Sequence, residues 1–169
     1  MLVLAPVSFI RLSSCRLEFE PDRGEWRQGH ARRRAGPVLD CFDRAHVAHA
    51  AADGLSGNDN YKTGRWLGFQ GKDLDAVIDL KEPTEFSKVS FNTNVVKGDW
   101  IMGAAGVTVK VSDDGQNFKE VASKVIPSLG KDDKDGLYPQ EISFDPVKAR
   151  YVEVIIKSDK LPTWHGGAG

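Results

Sequence analysis

Trp100 closes the run Lys97-Gly98-Asp99, which shows no strand period and reads as a loop between strands. An indole placed there, where no core obviously needs it, suits stacking on the apolar face of a pyranose, with planar polar groups bonding the ring hydroxyls. Lys97, Asp99, Asn94 and Tyr138 supply such groups if their loops converge. An indole packed beneath its own loop fits the same residues equally well.

Other chemistries find less support. Cys41, His46 and His49 give C-x4-H-x2-H, which lacks a paired C-x2-C and does not match a structural zinc module. Asp132-Asp133, flanked by Lys131 and Lys134, reads as an exposed charged loop. No nucleophile and base stand together in a recognisable pattern, and the chain reads as noncatalytic. With 23 basic against 24 acidic residues the net charge is −1, which lacks the electrostatic footprint of a nucleic-acid binder. No apolar run approaches the ~18 residues of a membrane span.

The elements that would position these residues are strands. Leu74 to Leu80 places Leu74, Ala76, Ile78 and Leu80 on one face and Asp73, Asp75 and Asp79 on the other, which is period 2. Phe86 to Phe91 follows after a break at Glu82-Pro83, and Val107, Val109 and Val111 alternate with Thr108, Lys110 and Ser112. Ser112-Asp113-Asp114-Gly115 supplies a turn, and Phe118 to Ile126 returns to complete a hairpin. Gln140 to Phe144 and Tyr151 to Ile156 finish the series, separated by Asp145-Pro146. Short strands without a convincing helix indicate an all-β antiparallel sandwich or jelly roll. The expected core is Leu74, Ala76, Ile78, Leu80, Val89, Phe91, Val107, Val109, Val111, Phe118, Val121, Ile142, Phe144, Val152, Val154 and Ile156.

The basic residues divide along the chain. Residues 1–60 hold eight arginines and no lysine, whereas residues 61–169 hold thirteen lysines and only Arg65 and Arg150. Fold physics gives little reason for that partition inside one domain. Residues 16–50 show neither strand nor helix period, so residues 1–48 read as a disordered or non-native segment and 49–169 as the domain. Leu12-Ser13-Ser14-Cys15 follows an apolar stretch, but the positive charge that should precede such a stretch comes after it, at Arg11, so no reliable signal peptide is read.

Ala52-Asp53-Gly54, Gly64-Arg65-Trp66, the strand ending Val77-Ile78-Asp79-Leu80, Val107 to Gly115, and Ala149-Arg150-Tyr151-Val152 resemble, in order and spacing, the coagulation factor V/VIII type C (discoidin) domain. Gly64 to Leu80, Gly98-Asp99-Trp100-Ile101 and Trp164 to Gly169 are similar to the discoidin-like domain at the C-terminal end of bacterial β-N-acetylhexosaminidases of glycoside hydrolase family 20. The resemblance implies a galactose-binding-like jelly roll, related to family 32 carbohydrate-binding modules, on a secreted or periplasmic glycosidase. Its partner would be a hexosamine-containing glycan or the enzyme's own catalytic domain, and no membrane span is expected. The alternatives are a ligand-free appendage and a discoidin-type adhesion module.

The family's catalytic Asp-Glu pair lies in a separate barrel, and no Asp-Glu dipeptide occurs in this chain. The resemblance also places Trp66 in the core, leads one to expect a last strand beyond Gly169, and makes the chain a fragment. It further implies a structural calcium, with Asp53, Asn58, Asp59 and Thr63 as the available oxygen donors.

Overall fold

The computed structural model describes residues 60, 62, 66–70 and 72–165, and the backbone of 7–11 and 30–32; of 67, 69 and 70 it likewise describes only the backbone. Two long strands carry the domain. β4 (Leu74–Val95) and β8 (Gly136–Ser158) pair antiparallel. The other strands are β1 (Val7–Arg11), β2 (His30–Arg32), β3 (Leu67–Gln70), β5 (Ile101–Met102), β6 (Ala104–Ser112) and β7 (Lys119–Val125). The sheet runs β3-β1-β4-β8-β6-β7, with β2 also on β4 and β5 on β1. Among the described ladders only that of β1 with β5 is parallel.

Each expected strand corresponds to an observed one, with Phe118 to Ile126 shortened to Lys119–Val125, but two pairs are fused. Leu74 to Leu80 and Phe86 to Phe91 are both parts of β4, and Gln140 to Phe144 and Tyr151 to Ile156 are both parts of β8. Pro83 and Asp145-Pro146 had marked breaks. Each instead falls where the β4–β8 ladder shifts register, between Asp79 and Thr84 and between Phe86 and Lys88. A bulge leaves a residue outside the ladder, so a proline without an N–H costs no ladder bond there. In the N-terminal stretch, β1 and β2, the second of which lies where no strand period was found, pair through their backbones with β4 at Asn92–Asn94 and Val77–Asp79.

Val89, Phe91, Val109, Val152, Val154 and Ile156 are completely buried and belong to one cluster with Leu74, Ile78, Phe86 and Ile142. One face of a single flat layer would leave such residues open to water. The two stretches of the β4–β8 ribbon, on either side of the register shifts, meet across this cluster, and the sheet wraps into the layers of a sandwich. Lys124 of β7 donates to the Glu141 carbonyl of β8 at 2.9 Å, and Lys88 of β4 pairs with the Glu141 carboxylate at 3.3 Å. Twelve of the sixteen expected core residues are buried, and Val111, Val121 and Phe144 pack partly buried against them. Phe118 is half-buried outside the cluster. Trp66 is buried, as the resemblance implied.

Asp79 fixes the corner. Its carboxylate receives two bonds from the Arg150 guanidinium, Nε to Oδ1 at 3.0 Å and Nη2 to Oδ2 at 3.2 Å. It also accepts the Lys81 N–H at 2.8 Å, where the backbone turns through a φ of 74°. The Arg150 fork, aided by the Lys81 N–H, holds this carboxyl at about 2 against an ordinary 3.8, despite the opposing effect of burial. The same guanidinium lies over the Tyr151 ring at 4.9 Å, and Tyr151 covers Gly115 in the β6–β7 turn. That turn is the expected hairpin. Gly115 has a φ of 71°, and Asp114 accepts from the Gln116 and Asn117 N–H groups, the Asn117 amide and the Ser112 hydroxyl. These bonds hold the Asp114 carboxyl far below its usual range.

Candidate functional site

The loop carrying Trp100 is a pinched hairpin. Val96 and Ile101 exchange both backbone bonds, at 3.0 and 3.1 Å, so only four residues turn the chain. Lys97–Asp99 form one 3-10 turn, and Trp100 ends it with φ 64° and ψ 24°. That left-handed conformation usually falls to glycine, and a side chain with a Cβ pays about 1–2 kcal/mol to adopt it. The indole is half-buried. An aromatic residue kept at such a cost has contacts that hold it.

The first of these contacts is with the C-terminal segment. The His165 imidazole and the Trp100 ring form a T-shaped pair, centroids 5.1 Å apart and planes at 70°. Its Nε2 lies 2.9 Å from the Lys97 carbonyl oxygen. A carbonyl only accepts, so Nε2 carries the proton. The same oxygen also takes the Trp100 N–H at 3.1 Å, filling its second lone pair. The His165 N–H donates to the Pro162 carbonyl at 2.9 Å, and the half-buried Trp164 ring lies 6.0 Å from the imidazole.

The second anchor is the loop before β8. Lys97 reaches Asp135 with both its backbone N–H, at 3.3 Å, and its ammonium, at 3.2 Å, and the ammonium also donates to the Asp133 carbonyl. Asp133 in turn accepts the Gly130 N–H at 2.7 Å. Tyr138 donates its hydroxyl to the Lys134 carbonyl. Three segments, at 96–100, 130–138 and 162–165, therefore meet around Trp100.

The five predicted binding residues take different places. Trp100 and Asp99 lie on the loop, the first half-buried and the second exposed. Lys97 sits beside them, but its ammonium ties two loops together instead of facing a ligand. The Tyr138 hydroxyl is likewise engaged within its own loop. Asn94 is a correction: it is fully buried within β4, its backbone between β1 and β8, because the strand continues further than the sequence pattern indicated. Trp164 and His165 were not expected in the site, and only their place in the resembling C-terminal segment could have marked them.

The expected calcium donors Asp53, Asn58, Asp59 and Thr63, and the cysteine and histidine group at 41–49, lie outside the described residues. Among the described residues no group of three or more His, Cys, Asp or Glu side chains could hold a metal ion. No helix among them is long and apolar enough to cross a membrane.

The F5/8 type C domain matches residues 40–169, and the chain belongs to that family. No curated protein matched. Among solved structures, CpGH89CBM32-5 from Clostridium perfringens, in complex with GalNAc-β-1,3-galactose, is similar at 18% identity over 57% of this chain and 60% of that one, with a TM-score of 0.36. CBM32-1 from a family 31 glycoside hydrolase of Clostridium perfringens is similar at 15% identity over 79% of this chain and 84% of that one, with a TM-score of 0.40. Chitosan-binding module 1 from a chitosanase/glucanase of Paenibacillus sp. IK-5 is similar at 17% identity over 52% and 57%, with a TM-score of 0.35.

Proposed function

We propose that this chain is a noncatalytic glycan-binding module, with Trp100 as the stacking surface for a pyranose ring. One observation carries the reading: a half-buried indole is kept at a left-handed backbone position and steadied by groups from two other segments. The turn sets that conformation and glycine would adopt it at less cost, so the indole is kept there for what its ring contacts. Asp99 beside it, and main-chain groups of the loop, suit bonding to ring hydroxyls.

The similarity of Gly64 to Leu80 and of the Trp164 to Gly169 segment to the C-terminal domain of family 20 enzymes supports the finer reading. The glycan would then contain hexosamine, and the module would belong to a secreted or periplasmic β-N-acetylhexosaminidase that it holds near its substrate. A calcium held by Asp53, Asn58 and Thr63, which precede Trp66 in the sequence, belongs to the same proposal; oxygen donors suit that hard ion. The Lys/Arg division supports a different origin for much of residues 1–48, although the backbones of Val7–Arg11 and His30–Arg32 pair with β4.

Titrating the full chain with N,N′-diacetylchitobiose while following tryptophan fluorescence tests the reading. A saturable change is expected in the wild type and its loss in Trp100→Ala. A folded wild type that gives no saturable response to this or any other hexosamine oligosaccharide would leave the ligand-free appendage as the better account.

A further inference from the structure

We infer that His165 is a positioning residue for Trp100, and that it fixes the indole in its binding orientation by joining the C-terminal segment to the loop. The inference rests on the glycan-binding reading and adds to it a residue that does not itself stack on the sugar. The imidazole acts on two parts of the loop at once. Its ring packs T-shaped against the Trp100 ring, centroids 5.1 Å apart, while its Nε2–H donates to the Lys97 carbonyl at 2.9 Å. That carbonyl already accepts the Trp100 N–H and so lies inside the 3-10 turn that sets the left-handed backbone of Trp100.

Ring orientation and backbone conformation are thereby controlled from one side chain. From the other side, Lys97 is held by Asp135 and by the Asp133 carbonyl, so the turn cannot swing away from that loop. His165 closes the opposite side. Its own place is set by its N–H bond to Pro162, which curls the segment back toward the turn, and by Trp164 at 6.0 Å.

Two substitutions separate the tasks. Phenylalanine keeps a ring for the indole but has no donor for the carbonyl. Glutamine keeps a donor but offers no ring. An edge-to-face aromatic pair and one hydrogen bond are each modest in strength, and losing both is expected to weaken sugar binding about tenfold.

The test uses the full chain and two readouts. In the first, indole N–H resonances are assigned and the ¹⁵N heteronuclear NOE of each indole is compared between wild type and His165→Ala, with no sugar present. The Trp100 value is expected to fall, and that of the buried Trp66 to stay unchanged. In the second, N,N′-diacetylchitobiose is titrated against wild type, His165→Ala, His165→Phe and His165→Gln. An about tenfold loss is expected for alanine, with phenylalanine and glutamine between alanine and wild type.

An unchanged Trp100 indole NOE in His165→Ala overturns the inference, as does equal affinity of wild type and His165→Ala. If the wild type binds no sugar, the glycan reading fails, and the NOE comparison alone decides the positioning role. Should His165→Ala not fold, His165→Phe and His165→Gln carry the same comparison.

Discussion

Replacing Asp79 with asparagine keeps the size of the side chain at the β4 corner and removes the charge that Arg150 grips. The carboxylate takes both prongs of the guanidinium, and it also accepts the Lys81 N–H at the turn of positive φ. A carboxyl that titrates at about 2 instead of 3.8 stabilises the fold by about 2 kcal/mol before screening. Solvent reaches the Arg150 side chain, which is 40% exposed, so about 1–2 kcal/mol is the expected contribution at pH 7. Asparagine can still accept from Lys81, so the loss falls on the charged pair.

The melting temperature of Asp79→Asn should therefore lie about 3–6 °C below that of the wild type at pH 7. The sign of the pH dependence follows from the depressed folded-state value. The contribution is full above about pH 5 and is lost as pH falls through 4 toward 2, where the native carboxylate takes up its proton. Asparagine binds no proton there, so the gap between the two proteins should close over that interval. Urea unfolding at pH 7, 5, 4 and 3, followed by circular dichroism, measures it. Arg150→Ala in both backgrounds should show that most of the effect is coupling between the two side chains. Equal stability at pH 7, or a gap that stays constant down to pH 3, would refute the account of the corner.

Two further outcomes can be checked in the same material. Gly115→Ala should destabilise by about 1–2 kcal/mol, because it places a Cβ at a φ of 71° and 3.3 Å from the Tyr151 ring, and urea titration reads the change directly. Calcium added to chelator-treated protein should raise the melting temperature of the wild type but not of Asp53→Ala, and an equal response of both would remove Asp53 from the proposed donors.

The strand faces were legible because burial has a period of two and needs no knowledge of what lies opposite. Leu74, Ala76, Ile78 and Leu80, and likewise Val107 and Val109, are buried as their alternation indicates. Strand ends were less legible. Pro83 and Pro146 look like terminators to a local reading, whereas the sheet accommodates both at register shifts that depend on the partner strand. The same limit misplaced Asn94: local polarity suggested a loop, while β1 and β8 on its two sides make it part of the interior.

The candidate site was legible only as far as the loop of Trp100, and the reason is sequence distance. A tryptophan after Lys-Gly-Asp announces itself locally, but what holds it comes from Asp135, 38 positions beyond Lys97, and from His165, 68 positions beyond. Such partners leave no period and no spacing rule. They also change what nearby residues are free to do. Lys97 looked like a sugar-bonding ammonium, yet the acidic loop before β8 captures it, and a charge paired on two sides gains little by turning to a neutral ligand. Its carbonyl, which no sequence pattern singles out, becomes the more consequential atom, because it takes the Trp100 N–H and the His165 imidazole together. A platform built this way depends on the last described residues as much as on the loop that displays it, so losing the C-terminal segment should weaken sugar binding even with Trp100 intact.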